Sequence, residues 1–212
     1  MGFSKMSIPL KSIHQIVKQF TLDFVNNPYL CYTEHGQHAL FFSMLYNAIP
    51  DNKLFTTWNN QKVCIIQKEY PTAGKLGKPQ RQHWDIALIK SPPTSINEGS
   101  LKSFDYLKLS AVVEFGMNER EEHLIDDIER LCHIDSNVEQ GILIHLYRLS
   151  KPGAHFSGRD WSSNYRQIIS KERVAEISLN KPVDIYYGMH DITNKYESGA
   201  WMIRKGKVHP LV

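Results

Sequence analysis

One short apolar segment constrains the fold most, because it carries an acid where a buried strand is expected. Residues 110–118 read SAVVEFGMN, so Glu114 follows three apolar residues and precedes Phe115. Valine and phenylalanine favour strands, whereas acids are depleted in strands and are rarely buried unless they are paired or bound to a metal. We therefore predict a strand over residues 111–115, in which a buried glutamate would need a charged partner or a metal ion.

The remaining hydrophobic pattern mixes helical periodicity with short apolar runs. Helical spacing predicts helices over residues 7–25, 33–48 and 118–133, and in part of 161–177. Apolar runs predict strands over residues 63–70, 85–89, 141–149, 183–187 and 201–204. The ALFFSMLY part of the 33–48 segment is apolar on all sides, which predicts a deeply packed helix, and the 63–70 segment is apolar on both faces, which predicts a central strand. The class is α/β or α+β with a mixed sheet, and we expect one domain over residues 1–212.

Charge and cysteine content exclude some functions and leave others open. The 212 residues carry a formal net charge of +3, which permits an anionic partner without requiring one. No apolar run is long enough to cross a bilayer, so no membrane association is expected. The three cysteines are scattered, which favours reduced thiols in a cytoplasmic protein over a disulfide framework or a zinc site.

Three acids mark the ends or interiors of predicted strands. Glu69 ends one strand, Asp85 opens the next, and Glu114 lies within the third. Two carboxylates brought into one cleft repel each other, and a divalent cation removes that conflict. Magnesium is bound by one or two carboxylates with water and phosphate oxygens, and it supports phosphodiester hydrolysis. The alternative, that each acid is solvated or paired with a nearby Lys or Arg, stays open.

The order of these acids resembles the PD-(D/E)XK nuclease superfamily, which has the restriction-endonuclease-like fold. That family places an acid on an early helix, an acid at the start of one strand and a Glu-x-Lys on the next strand, before a further helix. The matching residues are Glu34, Asp85 in WDIALI and Glu114 in VVEF, followed by NEREEHLIDDIERL. Glu69 in QKEYP is similar to an accessory acid of some branches. The resemblance covers roughly residues 30–150.

The resemblance implies a central mixed sheet flanked by helices and hydrolysis of phosphodiester bonds in DNA. Asp85 and Glu114 would hold Mg²⁺ or Mn²⁺, and Glu34 would bind the metal directly or through water. A homodimer is also possible, because many family members work as dimers.

The sequence departs from the family pattern at Gly116, where the family has lysine. Residues i and i+2 of a strand face the same side, so a lysine there would lie beside Glu114 and the metal. Three explanations stay open. Another cation could replace it, with Lys68, Lys90 and Arg120 as candidates; Gln67, on the same face as Glu69, could orient a water; or catalysis has been lost, leaving a module that binds nucleic acid or a protein.

Two further groups of residues have both a functional and a structural interpretation. The loop PTAGKLGKPQRQ carries Lys75, Lys78 and Arg81, which could contact a nucleic-acid backbone or could simply be solvated. His35 and His38 are three residues apart on a predicted helix and could share a face, but no HExxH pattern is present. We interpret these histidines as hydrogen-bonded or exposed rather than as a zinc site.

Overall fold

A computed structural model describes residues 10–49, 54–56, 62–90, 107–149 and 168–212. The helices within these ranges are α1 (Leu10–Asn26), α2 (Glu34–Ala48), α3 (Glu121–Leu131) and α4 (Lys171–Ile177). The strands are β1 (Leu54–Thr56), β2 (Lys62–Cys64), β3 (Ile66–Pro71), β4 (His83–Ile89), β5 (Leu109–Met117), β6 (Gly141–Leu149), β7 (Val183–Asp191), β8 (Gly199–Arg204) and β9 (Lys207–Pro210).

Seven of these strands form one mixed sheet in the order β3-β4-β5-β6-β7-β8-β9. The pairs β5–β6 and β6–β7 are parallel, and the other pairs of the sheet are antiparallel. Strands β1 and β2 pair with each other outside this sheet. The expectation of an α/β fold with a central mixed sheet flanked by helices is confirmed.

The central strands are the ones with the longest apolar runs. Every residue of β6 is buried, and β5 and β7 are buried at all but one position. Parallel strands need a crossover connection and are covered on both faces, so both faces of each strand must be apolar. Helix α3 provides the crossover between β5 and β6. The strand predicted over residues 141–149 has the same bounds as β6.

Helices cover both faces of the sheet, and the contacts of β5 show which helices lie on which face. Phe115 packs against Phe20 of α1 and Phe41 of α2, with ring centroids 5.8 and 5.4 Å away. Its neighbour Glu114 bonds to Arg130 of α3. Successive side chains of a strand point to opposite faces, so α1 and α2 lie on one side of β5 and α3 lies on the other. Helix α4 packs against β8 and β9.

The link between α1 and α2 is fastened to β6 by one buried arginine. Arg148 donates hydrogen bonds to the carbonyl oxygens of Pro28 and Tyr32, at 2.6 and 2.7 Å. Its guanidinium also lies over the rings of Tyr29 and Tyr32, with ring centroids 4.8 and 4.7 Å away. These contacts fix the position at which α2 begins, which matters because Glu34 is its first residue.

The structure corrects two packing predictions. The 63–70 segment is not one central strand: it is divided between β2 and β3, and β3 is the edge strand of the sheet. Helix α2 is not packed on all sides, because Tyr46 is 41% exposed although it lies in the apolar stretch of the helix. In both segments the apolar pattern overstated burial. Residue type and run length do not show that β3 lies at the edge of the sheet or that one side of α2 faces solvent.

Smaller corrections concern the ends of elements. The helix predicted from residue 118 begins at Glu121, because β5 continues to Met117. Residues 7–9 and 161–167 of the predicted helices lie outside the described residues. The three cysteines are free, as predicted, but they are partly rather than fully buried. Among the described residues, none of the helices has the length and apolar character needed to span a bilayer.

Candidate functional site

Asp85 lies near the start of β4, beside the point where the pairing between β4 and β5 ends. The last residue pair of that ladder is Ile86 opposite Val113. One residue further along, the Asp85 carboxylate accepts a hydrogen bond of 2.8 Å from the backbone N–H of Phe115. The side chain therefore takes over a position that a backbone carbonyl would hold in a continued ladder, and it is held there with 21% of its surface exposed.

Glu114 is the buried acid that the sequence singled out. Its side chain is 3% exposed, and its Oε2 accepts a hydrogen bond of 3.3 Å from Nη2 of Arg130. The same Arg130 nitrogen also donates to Asp127 of α3. The other oxygen of Glu114, Oε1, is buried without a hydrogen-bond partner. A buried carboxylate oxygen without a donor is costly, so this atom requires an explanation.

Arg130 connects α3 to the start of β4 as well as to Glu114. Its Nη1 donates to the carbonyl oxygen of His83 at 3.3 Å, and its guanidinium carbon lies 5.4 Å from the ring centroid of Trp84. Burial lowers the pKa of Arg130, but the carboxylates of Glu114 and Asp127 outweigh this effect and raise it. Arg130 is therefore a permanent positive charge inside the protein.

Helix α2 brings Glu34 and His38 to the same region. The helix is capped by Thr33, whose side chain accepts a hydrogen bond of 3.0 Å from the backbone N–H of Gly36. One turn later, Nε2 of His38 lies 3.8 Å from Glu34 Oε1 and 3.9 Å from Asp85 Oδ2. These distances are too long for hydrogen bonds. His38 is buried, and neither of its ring nitrogens has a hydrogen-bond partner.

The acids of this region disturb one another electrostatically. Burial raises the pKa of Asp85, and His38 and the Phe115 N–H oppose that rise. Burial also raises the pKa of Glu114 well above its usual range, and the charges of Asp127 and Asp85 raise it further. The charge of Arg130 offsets only part of this effect. Both groups therefore resist ionisation, which is the conflict that a bound cation relieves.

A second cation lies on α3 at the solvent edge of the region. Nδ1 of His123 is 3.2 Å from Oδ2 of Asp127, four residues further along the helix. The hydrogen bond to Asp127 raises the pKa of His123 to about 9, and the charges of Glu119 and Glu34 act in the same direction. His123 is therefore protonated at neutral pH, although burial opposes its charge.

The space beside Gly116 is filled by a histidine from the neighbouring strand. Gly116 lies opposite His145 of β6, and a Cβ atom at position 116 would be 2.8 Å from Nδ1 of that ring. The ring is held from its other side, where Nε2 is 2.9 Å from the hydroxyl of Tyr147. Burial lowers the pKa of His145 to about 4, so the ring is neutral. A lysine at position 116 would collide with it.

Two of the cations that the sequence suggested as replacements lie beside other acids. Lys68 is 3.9 Å from Glu69, and Lys90 pairs with Glu139. Arg120 is the N-cap residue of α3. The cation that contacts Glu114 is Arg130, from the last turn of the same helix.

The two predicted accessory residues of β3 make different contacts. The side-chain amide of Gln67 donates a hydrogen bond of 2.6 Å to the carbonyl oxygen of Cys64. The flanking β3–β4 pairs place Glu69 opposite Asp85. Glu69 also lies beside His35 and His38, and one ligand atom from each of these three residues lies within 4.8 Å of the others.

The basic loop residues have different surroundings. Lys78 forms an ion pair with Asp126 of α3, and Nε of Arg81 donates a hydrogen bond of 2.5 Å to the carbonyl oxygen of Thr72. Lys75 is exposed.

Sequence reasoning missed the α3 side chains that complete the site. Asp127 lies on the apolar side of that helix, between Leu124, Ile128 and Leu131, all of which are buried. An acid on the apolar side of a helix is the same type of signal as an acid within an apolar strand. His123 and Arg130 lie four residues before and three residues after Asp127, the spacings at which helical side chains meet.

Comparisons with protein-family models, with curated proteins and with solved structures yield no match to this chain.

The His123–Asp127 pair predicts a pH-dependent contribution to stability. The His123 pKa is about 9 in the folded protein and about 6.5 in an unfolded chain. Its contribution is therefore fully present below pH 6.5 and is lost as the pH rises through about 9. We expect His123→Gln to be less stable than wild type at about pH 6, with a difference that shrinks by about pH 10. Urea unfolding at several pH values measures this; a difference independent of pH would contradict it.

The close approach of His145 predicts a position-specific cost at residue 116. Gly116→Ala should lower the free energy of unfolding by about 1–3 kcal/mol, because the new methyl group overpacks a rigid, buried site. The cost should be smaller in a His145→Ala background, which removes the colliding ring. Gly74→Ala is the matched control, since a Cβ there meets nothing within 4 Å. Equal costs of Gly116→Ala in the two backgrounds would show that His145 does not exclude a side chain at 116.

Proposed function

We propose that the protein is a metal-dependent nuclease that hydrolyses phosphodiester bonds in DNA, with Asp85 and Glu114 as ligands of Mg²⁺ or Mn²⁺ and Glu34 as an auxiliary acid. The order of the elements supports this. Glu34 opens a helix, Asp85 lies near the start of a strand, and Glu114 lies on the neighbouring strand, which a helix follows. This is the order in which the resembled superfamily carries its acids.

The observation that carries the proposal is the excess of negative charge around Asp85. The electrostatically coupled groups include four carboxylates, those of Glu34, Asp85, Glu114 and Asp127. Against them stand two cations, Arg130 and protonated His123. Carboxylates therefore outnumber the cations of this group, and a divalent cation would reduce that excess of negative charge. Burial is the main cause of the raised pKa values of Asp85 and Glu114, and the neighbouring negative charges raise them further.

The residues present suit magnesium or manganese. Glu114 Oε1 is a buried acceptor without a donor, and the Asp85 carboxylate is partly open to solvent. Oxygen ligands are those that these ions prefer, and Mg²⁺ retains several waters, so one or two carboxylates suffice. Glu34 can then act through a bound water, because a third of its side chain is exposed.

A bound divalent metal ion would supply an activated water and would stabilise charge on the phosphate oxygens. The chain itself supplies positive charge from two α3 residues rather than from a lysine at position 116. Arg130 cannot act as a base because it stays protonated, so its role is to hold Glu114 and to balance charge. His123 is protonated and 44% exposed, so it can face an anionic substrate. Lys75 is exposed and is suited to contact the nucleic-acid backbone. Lys78 and Arg81 could do the same only after leaving Asp126 and the carbonyl oxygen of Thr72.

A second candidate function is a non-catalytic module of the same fold that binds nucleic acid or a protein partner. Two observations favour it. His145 leaves no room for the family's lysine at position 116, and Glu114 is already paired with Arg130. A catalytic centre that lost its metal would be expected to neutralise its remaining acids in this way.

The excess charge predicts that removing one carboxylate stabilises the metal-free protein. Asp85→Asn keeps an oxygen that can accept the hydrogen bond from Phe115 and removes a charge that the folded state disfavours. Because the folded-state pKa of Asp85 is raised, the destabilisation appears as the pH rises above the unfolded value of about 3.9. We therefore expect a higher melting temperature for Asp85→Asn at neutral pH in a chelator, and no difference at about pH 3. A lower melting temperature at neutral pH would contradict the charge account.

The proposed activity is tested by incubating the wild type with plasmid DNA and with single-stranded oligonucleotides, in Mg²⁺, in Mn²⁺ and in a chelator. We expect metal-dependent cleavage that Asp85→Asn and Glu114→Gln reduce by about 100-fold or more. Asp135→Asn is the matched control. That acid is 81% exposed, and its neighbour is His133 rather than a residue of the carboxylate cluster.

The outcomes separate the two candidate functions. Cleavage that both cluster variants retain would not depend on these carboxylates and would overturn the proposed site. DNA binding without cleavage by any of the proteins would support the non-catalytic module.

A further inference from the structure

Helix α2 and strand β3 bring together a second group of ligand-type side chains. His35 and His38 are one turn apart on α2, and Glu69 belongs to β3. One ligand atom from each residue lies within 4.8 Å of the other two, and the two imidazole rings are 5.7 Å apart with an interplanar angle of 84°. Ligands of a tetrahedral ion with bonds near 2.1 Å lie about 3.4 Å apart, so small rotamer changes would close the group around one ion.

His38 supplies an independent sign of a missing ligand. The residue is 3% exposed, yet neither of its ring nitrogens makes a hydrogen bond. A neutral imidazole has one donor and one acceptor, and leaving both unmet in the interior is costly. The ring is fixed by packing, with its centroid 4.5 Å from that of Phe115. A metal ion on one nitrogen would satisfy the acceptor.

Two carboxylates lie near the His38 ring without satisfying it. Nε2 is 3.8 Å from Glu34 and 3.9 Å from Asp85, distances too long for hydrogen bonds.

Contrary to the interpretation from the sequence, we propose from this geometry that His35, His38 and Glu69 form a binding site for a divalent transition-metal ion, with Zn²⁺ as the best fit. Two imidazole nitrogens and one carboxylate are the ligands of zinc and its neighbours rather than of magnesium. Three protein ligands leave a coordination position free. That position is accessible, because His35 and Glu69 are exposed.

The ion pair between Lys68 and Glu69 competes only weakly with a metal ion for the Glu69 carboxylate. Lys68 Nζ lies 3.9 Å from Glu69 Oε1, and both side chains are at least one-third exposed. An exposed ion pair at that distance contributes about 0–1 kcal/mol, which a metal–carboxylate bond easily exceeds.

This site does not depend on nuclease activity. It shares the neighbourhood of Asp85 with the proposed Mg²⁺ site, but its ligands are different residues and different donor atoms. Variants at His35 and Glu69 test the transition-metal site, and Asp85→Asn tests the other, so either proposal can fail alone.

The test is a titration of the purified full chain with Co²⁺, followed by visible absorption and by displacement with Zn²⁺. We expect one Co²⁺ per chain with the absorption of a low-coordinate site. His35→Ala and Glu69→Gln should each weaken binding about tenfold or more. Both residues are exposed, so these variants should fold, which circular dichroism verifies. His209→Ala and Glu129→Gln are the matched controls, because both residues are exposed and lie outside the group.

Each outcome decides the proposal. Retained Co²⁺ binding in the two controls and in Asp85→Asn, together with weakened binding in His35→Ala and Glu69→Gln, supports it. No binding by the wild type at millimolar Co²⁺ overturns it. Binding that Asp85→Asn abolishes while His35→Ala and Glu69→Gln leave it intact also overturns it, because the ion then belongs to the carboxylate cluster.

Discussion

The contact between Arg130 and Glu114 is the interaction on which the rest of the site depends. A carboxylate that is 3% exposed could not remain ionised without a charged partner, and Arg130 provides that partner from the last turn of α3. The same guanidinium bonds to Asp127 and to the backbone of His83 at the start of β4. One side chain therefore links a helix to the two strands that carry the acids. Even so, the pKa of Glu114 stays raised, because Arg130 does not compensate for burial and two nearby negative charges.

The position of Gly116 follows from the neighbouring strand rather than from β5 itself. His145 lies opposite it, and the Tyr147 hydroxyl that holds the His145 ring also donates to the carbonyl oxygen of Glu119 and accepts from the N–H of Ile169. The tyrosine proton is used on Glu119, so the His145 ring donates through Nε2 and presents its lone pair on Nδ1 toward Gly116. A small residue is thus required at 116 by a buried polar network. The cation beside Glu114 is Arg130, which comes from α3.

Part of this structure could be predicted from the sequence because its physical cause is local. The β6 run GILIHLYRL is almost wholly apolar, and a run of that length and character fits only a strand covered on both faces. The acids were found for a similar reason, since Glu114 contradicts the apolar residues around it. The same argument failed for residues 63–70, because their apolar half is divided between β2 and β3 and the rest of β3 is a partly exposed edge strand.

The partners of the acids could not be predicted, because they come from tertiary structure. His38 and Asp85 are far apart in sequence, and only the packing of α2 on the sheet brings them within 3.9 Å. The same holds for Glu69, which only the packing of α2 against β3 brings beside two histidines. Asp127 is the exception, since an acid among the buried positions of α3 was visible in the helical periodicity.

The central claim is that the carboxylates around Asp85 form a binding site for a divalent cation. Its most direct test is calorimetric titration with Mn²⁺ of the His35→Ala protein, in which the histidine group on α2 is incomplete, with and without Asp85→Asn. The charge excess predicts saturable binding of one Mn²⁺ to His35→Ala and none to His35→Ala/Asp85→Asn. Absence of binding to His35→Ala, or equal binding to both proteins, would contradict the claim. The buried acids would then be held by Arg130 and His123 alone, as a structural charge cluster.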